Sequence, residues 1–269
     1  MAETAFSGDD YVSPSASAGS IAARFPTLFF LWKVFGIIRH DGNLAEAGKY
    51  YAANWVDGSR NTLRALEHCG AVLHVEGLRH IDAVDGPCVF VGNHMSTLET
   101  FILPVFIQPR KEVTYIVKES LLGYPWFGSV LKSRDPVVVS RTNPRRDLTT
   151  VLEGGEERLK RGISIIVFPQ STRNATFETA GFNSMGIKLA KRAGVPVIPL
   201  ALRTDAWSTG RLLKDFGRIN PALPIHFAFG EALYVKDNGK AEHAAVCTFI
   251  EQSLRRWQDE PPCPPQPAK

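Results

Sequence analysis

The feature that most constrains the fold is an alternation of short apolar runs with longer helical stretches. The runs are rich in Val, Ile and aromatic residues and end at Gly, Pro or charges, which predicts β-strands. Strands that alternate with helices favour an α/β fold whose mixed, largely parallel sheet is flanked by helices. The predicted strands are 71–77, 87–93, 113–118, 136–141, 163–169, 195–202 and 224–230, and the helices are 97–107, 147–161, 184–193 and 241–257. Pro199 interrupts one strand, as is typical of edge or special-purpose strands.

The two ends of the chain have compositions that resist packing. Residues 1–20 are rich in Ser, Ala and Gly and lack the basic start and apolar centre of a secretory signal. Residues 258–269 are rich in Pro. We therefore expect two disordered tails around an N-terminal helical element at 21–69 and an α/β domain at 70–257.

The most apolar stretch is FPTLFFLWKVFGII at 25–38, and it allows two interpretations. Lys33 interrupts it, and it is shorter than the roughly 20 residues that a spanning helix needs. The helix could lie in the membrane interface with the Lys33 ammonium reaching the headgroups. It could equally be a buried core helix.

Charge and cysteine usage limit the class of protein. A net charge of +4 does not demand nucleic acid as a partner. The four cysteines are scattered without a C-x-x-C pair, so the sequence predicts neither a zinc site nor disulfides and fits a reducing, cytosolic setting. A local basic cluster could bind phosphate groups or anionic lipid, or simply be a solvated face; it comprises Lys132, Arg134, Arg141, Arg145 and Arg146.

The segment VGNHMSTLE at 91–99 follows a predicted buried strand and places two titratable residues close together. Ser96 and Glu99 have the spacing of a capping box, in which the carboxylate would only satisfy a backbone amide. Alternatively, Glu99 accepts a hydrogen bond from one nitrogen of His94 and leaves the other nitrogen free as a base. Such a base can act directly on a substrate hydroxyl.

A second segment, IIVFPQSTRN at 165–174, ends a strand in a polar turn. The guanidinium of Arg173 on such a turn can bind a phosphate group through two hydrogen bonds. The alternative is a surface loop in which Arg173 pairs with Glu178.

Taken in order, four segments of this chain resemble the blocks of the glycerolipid (lysophospholipid) acyltransferase family. The family pattern is Asn-His-x4-Asp, a strand ending in a phosphate-site Arg, Phe-Pro-Glu-Gly-Thr-Arg-Ser, and Val-Pro followed by two hydrophobic residues and Pro. This chain has NHMSTLE, VVVSR, FPQSTRN and VPVIP at the corresponding places. The resemblance covers about residues 70–231.

The resemblance implies roles for individual residues. His94 would be the general base for the acceptor hydroxyl, and Glu99 would orient it. Transfer from an acyl-CoA or acyl carrier protein thioester would be direct, without an acyl-enzyme, metal or other cofactor. The acceptor phosphate site would be formed by Lys118, Arg141, Gln170, Ser171, Thr172 and Arg173.

The resemblance also implies an activity and a location. The expected reaction acylates the sn-2 hydroxyl of 1-acyl-sn-glycerol 3-phosphate and gives phosphatidate, for phospholipid biosynthesis. The family's N-terminal helices embed in one leaflet, so residues 21–69 would form a monotopic, membrane-interfacial element at the cytoplasmic face of the inner membrane. The partners would be a lysophospholipid, an acyl thioester and the membrane surface, with no nucleic acid.

Three departures from the family pattern leave the acceptor open. Glu99 replaces Asp, Gln170 replaces Glu and Ser171 replaces Gly. The alternatives are another lysolipid or aminolipid acceptor, or a catalytically silent lipid-binding membrane protein of the same fold. A hydrolase using Ser96 or Ser171 with His94 is disfavoured because no Gly-x-Ser-x-Gly motif is present.

Overall fold

A computed structural model describes residues 8–14, 20–170, 172–210 and 214–258. Its central feature is an eight-stranded sheet with the order β1-β2-β8-β7-β3-β6-β4-β5. Five of the neighbouring pairs are parallel, and two pairs, β1 with β2 and β7 with β8, are antiparallel. The strands are β1 (Tyr11–Val12), β2 (Leu73–Glu76), β3 (Val89–Gly92), β4 (Val113–Lys118), β5 (Val137–Val139), β6 (Ser164–Val167), β7 (Val197–Arg203) and β8 (Ile225–Phe229). The predicted mixed, largely parallel sheet is confirmed.

Helices cover both faces of this sheet, as the alternating pattern predicts. Short 3₁₀ turns lie at Glu119–Gly123 and Thr179–Gly181. The helices are α1 (Ser20–Arg24), α2 (Pro26–Glu46), α3 (Ala52–His68), α4 (Arg79–Asp82), α5 (Leu98–Ile107), α6 (Phe127–Ser133), α7 (Pro144–Lys160), α8 (Met185–Ala193) and α9 (Lys240–Gln258). Helices α2, α3, α5 and α6 pack together in one layer, and α7, α8 and α9 lie on the opposite face.

The middle strands are buried on both faces, which explains their continuous apolar sequences. In β3, Phe90 points into the core under α2, α3 and α5, whereas Val89 and Val91 point into the core under α7, α8 and α9. This alternation follows from the two-residue period of a strand. The position of β3 is therefore fixed by two cores, and this fixes where the following loop begins.

The expected disorder of residues 1–20 is wrong for residues 8–14. β1 pairs antiparallel with β2 at the sheet edge. The hydroxyls of Tyr11 and Ser13 both donate to the Glu67 carboxylate on α3. Composition could not reveal this because the partners lie far along the chain. Apart from Gln258, which ends α9, the predicted tail 258–269 lies outside the described residues, as do 1–7 and 15–19.

The interpretation of Pro199 as a mark of an edge strand is wrong, because β7 lies inside the sheet between β8 and β3. Pro199 has no N–H to donate. The segment opposite, formed by β8 and the residues after it, accommodates this proline. Between the pairs Leu200–Phe229 and Val197–Leu233, that segment has three residues and β7 has two. Such an extra residue is a bulge, which relieves the regular ladder at the proline.

The N-terminal element consists of α1, α2 and α3, as the helical prediction for 21–69 requires. Among the residues that the structure describes, no helix combines the length and hydropathy needed to cross a bilayer.

Close packing of α8 against β3 yields a first prediction. A Cβ added at Gly186 would lie 2.5 Å from Cγ2 of the buried Val91. We expect Gly186→Ala to lower the free energy of unfolding by about 1–3 kcal/mol through overpacking. Gly154→Ala in α7 is the matched control: its Cβ meets atoms no nearer than 3.5 Å, and the better helix propensity adds up to about 1 kcal/mol. Urea denaturation measures both; equal stability of the two variants would contradict this packing.

Candidate active site

The candidate site lies where the parallel strands β3, β6 and β7 end at one edge of the sheet. Gly92 ends β3, and only glycine fits there because a Cβ would lie 2.8 Å from the carbonyl oxygen of Leu200. Asn93 follows, buried, and its amide both donates to the Leu202 carbonyl (2.8 Å) and accepts from the Leu202 N–H (2.9 Å). This two-way contact fixes the direction in which the chain leaves β3.

His94 is held by contacts of its ring and of its backbone with the segment that follows β6. Its ring stacks parallel on Phe168, with ring centroids 4.5 Å apart. Its backbone N–H donates to Oε1 of Gln170 (2.6 Å), and its carbonyl accepts from the N–H of Asn174 (2.9 Å). The loops after β3 and β6 are therefore tied together around this imidazole.

Glu99 is fully buried on the first turn of α5, and its carboxylate faces the His94 ring. Oε2 lies 3.6 Å from His94 Nδ1, an ion-pair distance slightly longer than a hydrogen bond. Among the described residues, Nδ1 has no hydrogen-bond partner. Since Nδ1 faces the carboxylate, Nε2 on the other side of the ring is the nitrogen available as a base.

The two interpretations of Glu99 turn out to be compatible. Oε1 accepts from the N–H groups of Met95 (2.7 Å) and Ser96 (3.0 Å), which is the backbone half of the predicted capping box. The other half is absent: α5 begins at Leu98, and the Ser96 hydroxyl accepts from the Leu98 N–H. The same carboxylate thus organises the loop and faces the imidazole.

Sequence reasoning missed Thr204, which lies just beyond the end of β7 and is fully buried. Its hydroxyl donates to Oε1 of Glu99 (3.0 Å) and accepts from the Ser96 hydroxyl (3.0 Å). The only sequence signal was its position after the VPVIP strand, next to β3 in the sheet. Local spacing does not show which strands are neighbours.

Arg173 lies beside residues 93–97, the loop after β3 that carries His94, which we call the base loop. One terminal nitrogen of its guanidinium donates to the Thr97 hydroxyl, and the other to the Asp215 carboxylate. The alternative in which Arg173 pairs with Glu178 is therefore wrong: the ion pair is with Asp215, from the segment after β7. The base and this guanidinium are on the same side of the molecule.

The remaining predicted site residues differ in how closely they approach this centre. Gln170 is buried and acts through the backbone of His94, whereas Thr172 is exposed, and Ser171 lies outside the described residues. Lys118 ends β4 and Arg141 follows β5, so both lie at the same sheet edge. With neighbouring strands about 4.8 Å apart, their backbones lie roughly 10 and 14 Å from β3 across the sheet.

Metal-ligand groupings are simply absent from the described residues, which contain no cluster of three or more His, Cys, Asp or Glu able to hold a metal ion. Cys69, Cys88 and Cys247 are buried free thiols. Burial raises the pKa of Cys88 to about 12.

Comparisons with known proteins converge on one family. The sequence profile described as Acyltransferase matches residues 72–203. The chain is 36% identical over 191 residues to a 1-acyl-sn-glycerol-3-phosphate acyltransferase from Pseudomonas aeruginosa, covering 71% of this chain and 69% of that protein. It is 29% identical over 192 residues to the Escherichia coli protein of the same name, covering 70% and 76%.

A solved structure shares the fold. The crystal structure of the 1-acyl-sn-glycerophosphate acyltransferase from Thermotoga maritima superposes with a TM-score of 0.69, at 19% identity, over 89% of this chain and 98% of that one.

The buried hydroxyl of Thr204 yields a second prediction. Thr204→Val keeps the shape but removes a donor to the Glu99 carboxylate and leaves the Ser96 hydroxyl without its acceptor. We expect the free energy of unfolding to fall by about 1.5–3 kcal/mol, as for a lost hydrogen bond to a charged group. Chemical denaturation measures it. Thr204→Ser keeps the hydroxyl and should stay closer to wild type; a Val variant as stable as wild type would contradict the assigned network.

Proposed function

We propose, on the premise that this chain belongs to the Acyltransferase family and is an acyltransferase enzyme, that it acylates the sn-2 hydroxyl of 1-acyl-sn-glycerol 3-phosphate to give phosphatidate. The names of its relatives support this acceptor. The observation that supports the proposal most directly is the contact between Arg173 and Thr97, because it holds a guanidinium, a group suited to phosphate, against the loop that carries His94.

In the proposed reaction, Nε2 of His94 accepts the proton of the acceptor hydroxyl. The oxygen attacks the carbonyl carbon of the acyl thioester, and the tetrahedral intermediate collapses as the carbon–sulfur bond breaks. The leaving thiolate then takes the proton from His94. The buried Glu99 carboxylate stabilises the imidazolium that exists between these two transfers and keeps Nδ1 protonated.

A serine nucleophile is not needed for this chemistry, and the surroundings of Ser96 disfavour one. Its hydroxyl is buried, donates to Thr204 and accepts from the Leu98 N–H. Its proton is therefore engaged with Thr204 and not with the His94 imidazole. This weakens the hydrolase alternative for Ser96.

Arg173 would bind the acceptor phosphate through its planar guanidinium. Lys118 and Arg141, further along the same edge, would add positive charge that attracts the phosphate or the phosphates of a CoA donor. The donor would be an acyl thioester of CoA or of acyl carrier protein, and measuring transfer from each identifies the carrier.

The acyl chains need an apolar site, and a cavity connected to the imidazole through two stacked aromatic rings offers one. It lies between α2, α3, α5, α6 and β4, and Tyr115 in its wall stacks on Phe168, the ring that also stacks on His94. Polar side chains also line it, among them Asp41, Ser59 and Arg134, and burial raises the pKa of Asp41 to about 6. At about 40 Å³ the cavity is too small for an acyl chain as it stands, and we propose that it widens to receive one.

Helix α2 would bind the membrane surface through its outer face. Its inner face packs Phe30, Val34 and Ile38 into the core, so the core-helix interpretation holds for that side. On the opposite side, which continues from α1, five large apolar side chains are each 45–73% exposed. The Lys33 ammonium lies 4.7 Å from the centre of the Trp32 ring. The five side chains are Ile21, Phe25, Leu28, Trp32 and Phe35, which we call the outer stripe. Such a stripe fits a monotopic protein at the cytoplasmic face of the inner membrane.

The catalytic role of His94 yields a third prediction. His94→Ala should reduce transfer to 1-acyl-sn-glycerol 3-phosphate by about 100- to 10,000-fold, the usual contribution of a general base. Mass spectrometry of the lipid products with acyl-CoA and with acyl carrier protein donors measures it. His68→Ala, at an exposed histidine, is the control.

Circular dichroism serves as the folding control for both variants. A folded His94→Ala variant with normal transfer would remove His94 from the reaction. Wild-type protein that acylates only another lysolipid or an aminolipid would move the acceptor assignment to that alternative.

The outer stripe yields a fourth prediction. The double substitution Leu28→Glu with Trp32→Glu should weaken binding to vesicles of phosphatidylethanolamine and phosphatidylglycerol by about tenfold or more, because each apolar side chain buried is worth about 1.5–3 kcal/mol. Vesicle flotation measures it. Tyr234→Glu, at an aromatic residue 64% exposed outside the stripe, is the matched control. If the double variant and the control float equally with vesicles, the stripe is not the membrane contact.

A further inference from the structure

We propose that Asp215 sets the phosphate affinity of the acceptor site: it is a built-in competitor that the acceptor phosphate must displace from Arg173. This rests on the proposed function. A soluble phosphate then binds poorly, whereas a lysolipid phosphate succeeds because its acyl chain adds binding energy elsewhere.

The contacts show that Asp215 already occupies an anion position. Its Oδ1 accepts from a terminal nitrogen of Arg173, and its Oδ2 accepts from the Tyr124 hydroxyl (3.2 Å). Both side chains of the ion pair are about one-fifth exposed. The carboxylate is therefore positioned by two contacts and remains within reach of a ligand from solvent.

The other side of the guanidinium explains why displacement must occur at Asp215. The second terminal nitrogen of Arg173 donates to Thr97 in the base loop. Each contact uses one N–H of Arg173, so other donors remain, but a phosphate bound to them would lie against the Asp215 carboxylate on the other terminal nitrogen and be repelled by its charge. A phosphate monoester carries more negative charge than a carboxylate and offers three acceptor oxygens, so it can replace the carboxylate on this nitrogen.

The segment that carries Asp215 also borders the proposed route of the lipid. Phe216, the next residue, stacks on Phe35 of the outer stripe with ring centroids 5.0 Å apart. Ile219 is tied to α2 through its N–H, which donates to the Thr27 hydroxyl (3.2 Å). A headgroup that reaches the site from the outer stripe would therefore meet the Asp215–Arg173 pair.

The cavity proposed above to receive an acyl chain would supply the extra binding energy. Any anion that displaces Asp215 loses the same ion-pair energy. For inorganic phosphate or glycerol 3-phosphate, that loss leaves little net affinity. A lysolipid recovers it by burying apolar surface.

The test compares Asp215→Asn, which removes the charge and keeps the side-chain size, with Glu178→Gln. Glu178 is an exposed acid on the Arg173 loop, and the described residues show no pair between it and Arg173. For Asp215→Asn we expect KM for 1-acyl-sn-glycerol 3-phosphate and the inhibition constant of inorganic phosphate each to fall about 3- to 10-fold, as for loss of a partly exposed ion pair. The value of kcat should not change.

Tyr124→Phe, which loosens the grip on Asp215, should shift both constants in the same direction by less. The inference is overturned if Asp215→Asn behaves like Glu178→Gln. It is also overturned if KM rises, because Asp215 would then position Arg173 for the phosphate.

Direct titration of inorganic phosphate into acceptor-free protein, followed by NMR of the arginine side chains, separates this inference from the proposed function. Tighter phosphate binding by Asp215→Asn supports Asp215 as a competitor even if wild-type protein fails to acylate the lysolipid. If wild-type protein acylates the lysolipid but Asp215→Asn binds phosphate no more tightly than wild type, the competitor role of Asp215 is overturned and the proposed function stands.

Discussion

The rest of the site depends on one buried carboxylate, that of Glu99. A fully buried charge is tolerated only when hydrogen bonds replace its water. Here two backbone amides of the loop after β3 and the Thr204 hydroxyl supply those bonds, and the imidazole of His94 faces the remaining oxygen. The loop is folded around the charge, so the position of the base and the stability of the loop have the same physical cause.

The parallel sheet converts this local arrangement into a site. Because β3, β6 and β7 are neighbours and end at one edge, segments far apart in sequence meet there. Asn93 ties the base loop to β7, and Gln170 ties it to the loop after β6. Arg173 connects it to Asp215, whose neighbour Phe216 packs on α2. The Arg173 guanidinium, the His94 imidazole and the exposed apolar face of α2 are thus linked by a continuous chain of contacts.

Much of this could be predicted from sequence where the information is local. Strand and helix alternation predicted the sheet, and the spacing of His94 and Glu99 predicted their approach. Contacts between distant segments could not be predicted. The pairing of Tyr11 with β2, the bulge opposite Pro199, the Thr204 hydroxyl on Glu99 and the Asp215 partner of Arg173 each depend on which strands are neighbours. The sequence left open whether the apolar helix at 25–38 is buried or interfacial. One of its faces is buried and the other exposed, and the composition of the stretch does not separate the two faces.

In the proposed mechanism, Glu99 holds the His94 imidazole with Nδ1 protonated and Nε2 free to accept a proton. Nitrogen-15 NMR of the histidine side chains in wild-type protein and in Glu99→Gln tests it most directly, with His94 assigned by its substitution. We expect the Nδ1–H tautomer for neutral His94 in wild type and its loss, or mixing with the other form, in Glu99→Gln. An Nε2–H tautomer in wild type would contradict it, because the nitrogen that must take the acceptor's proton would already carry one.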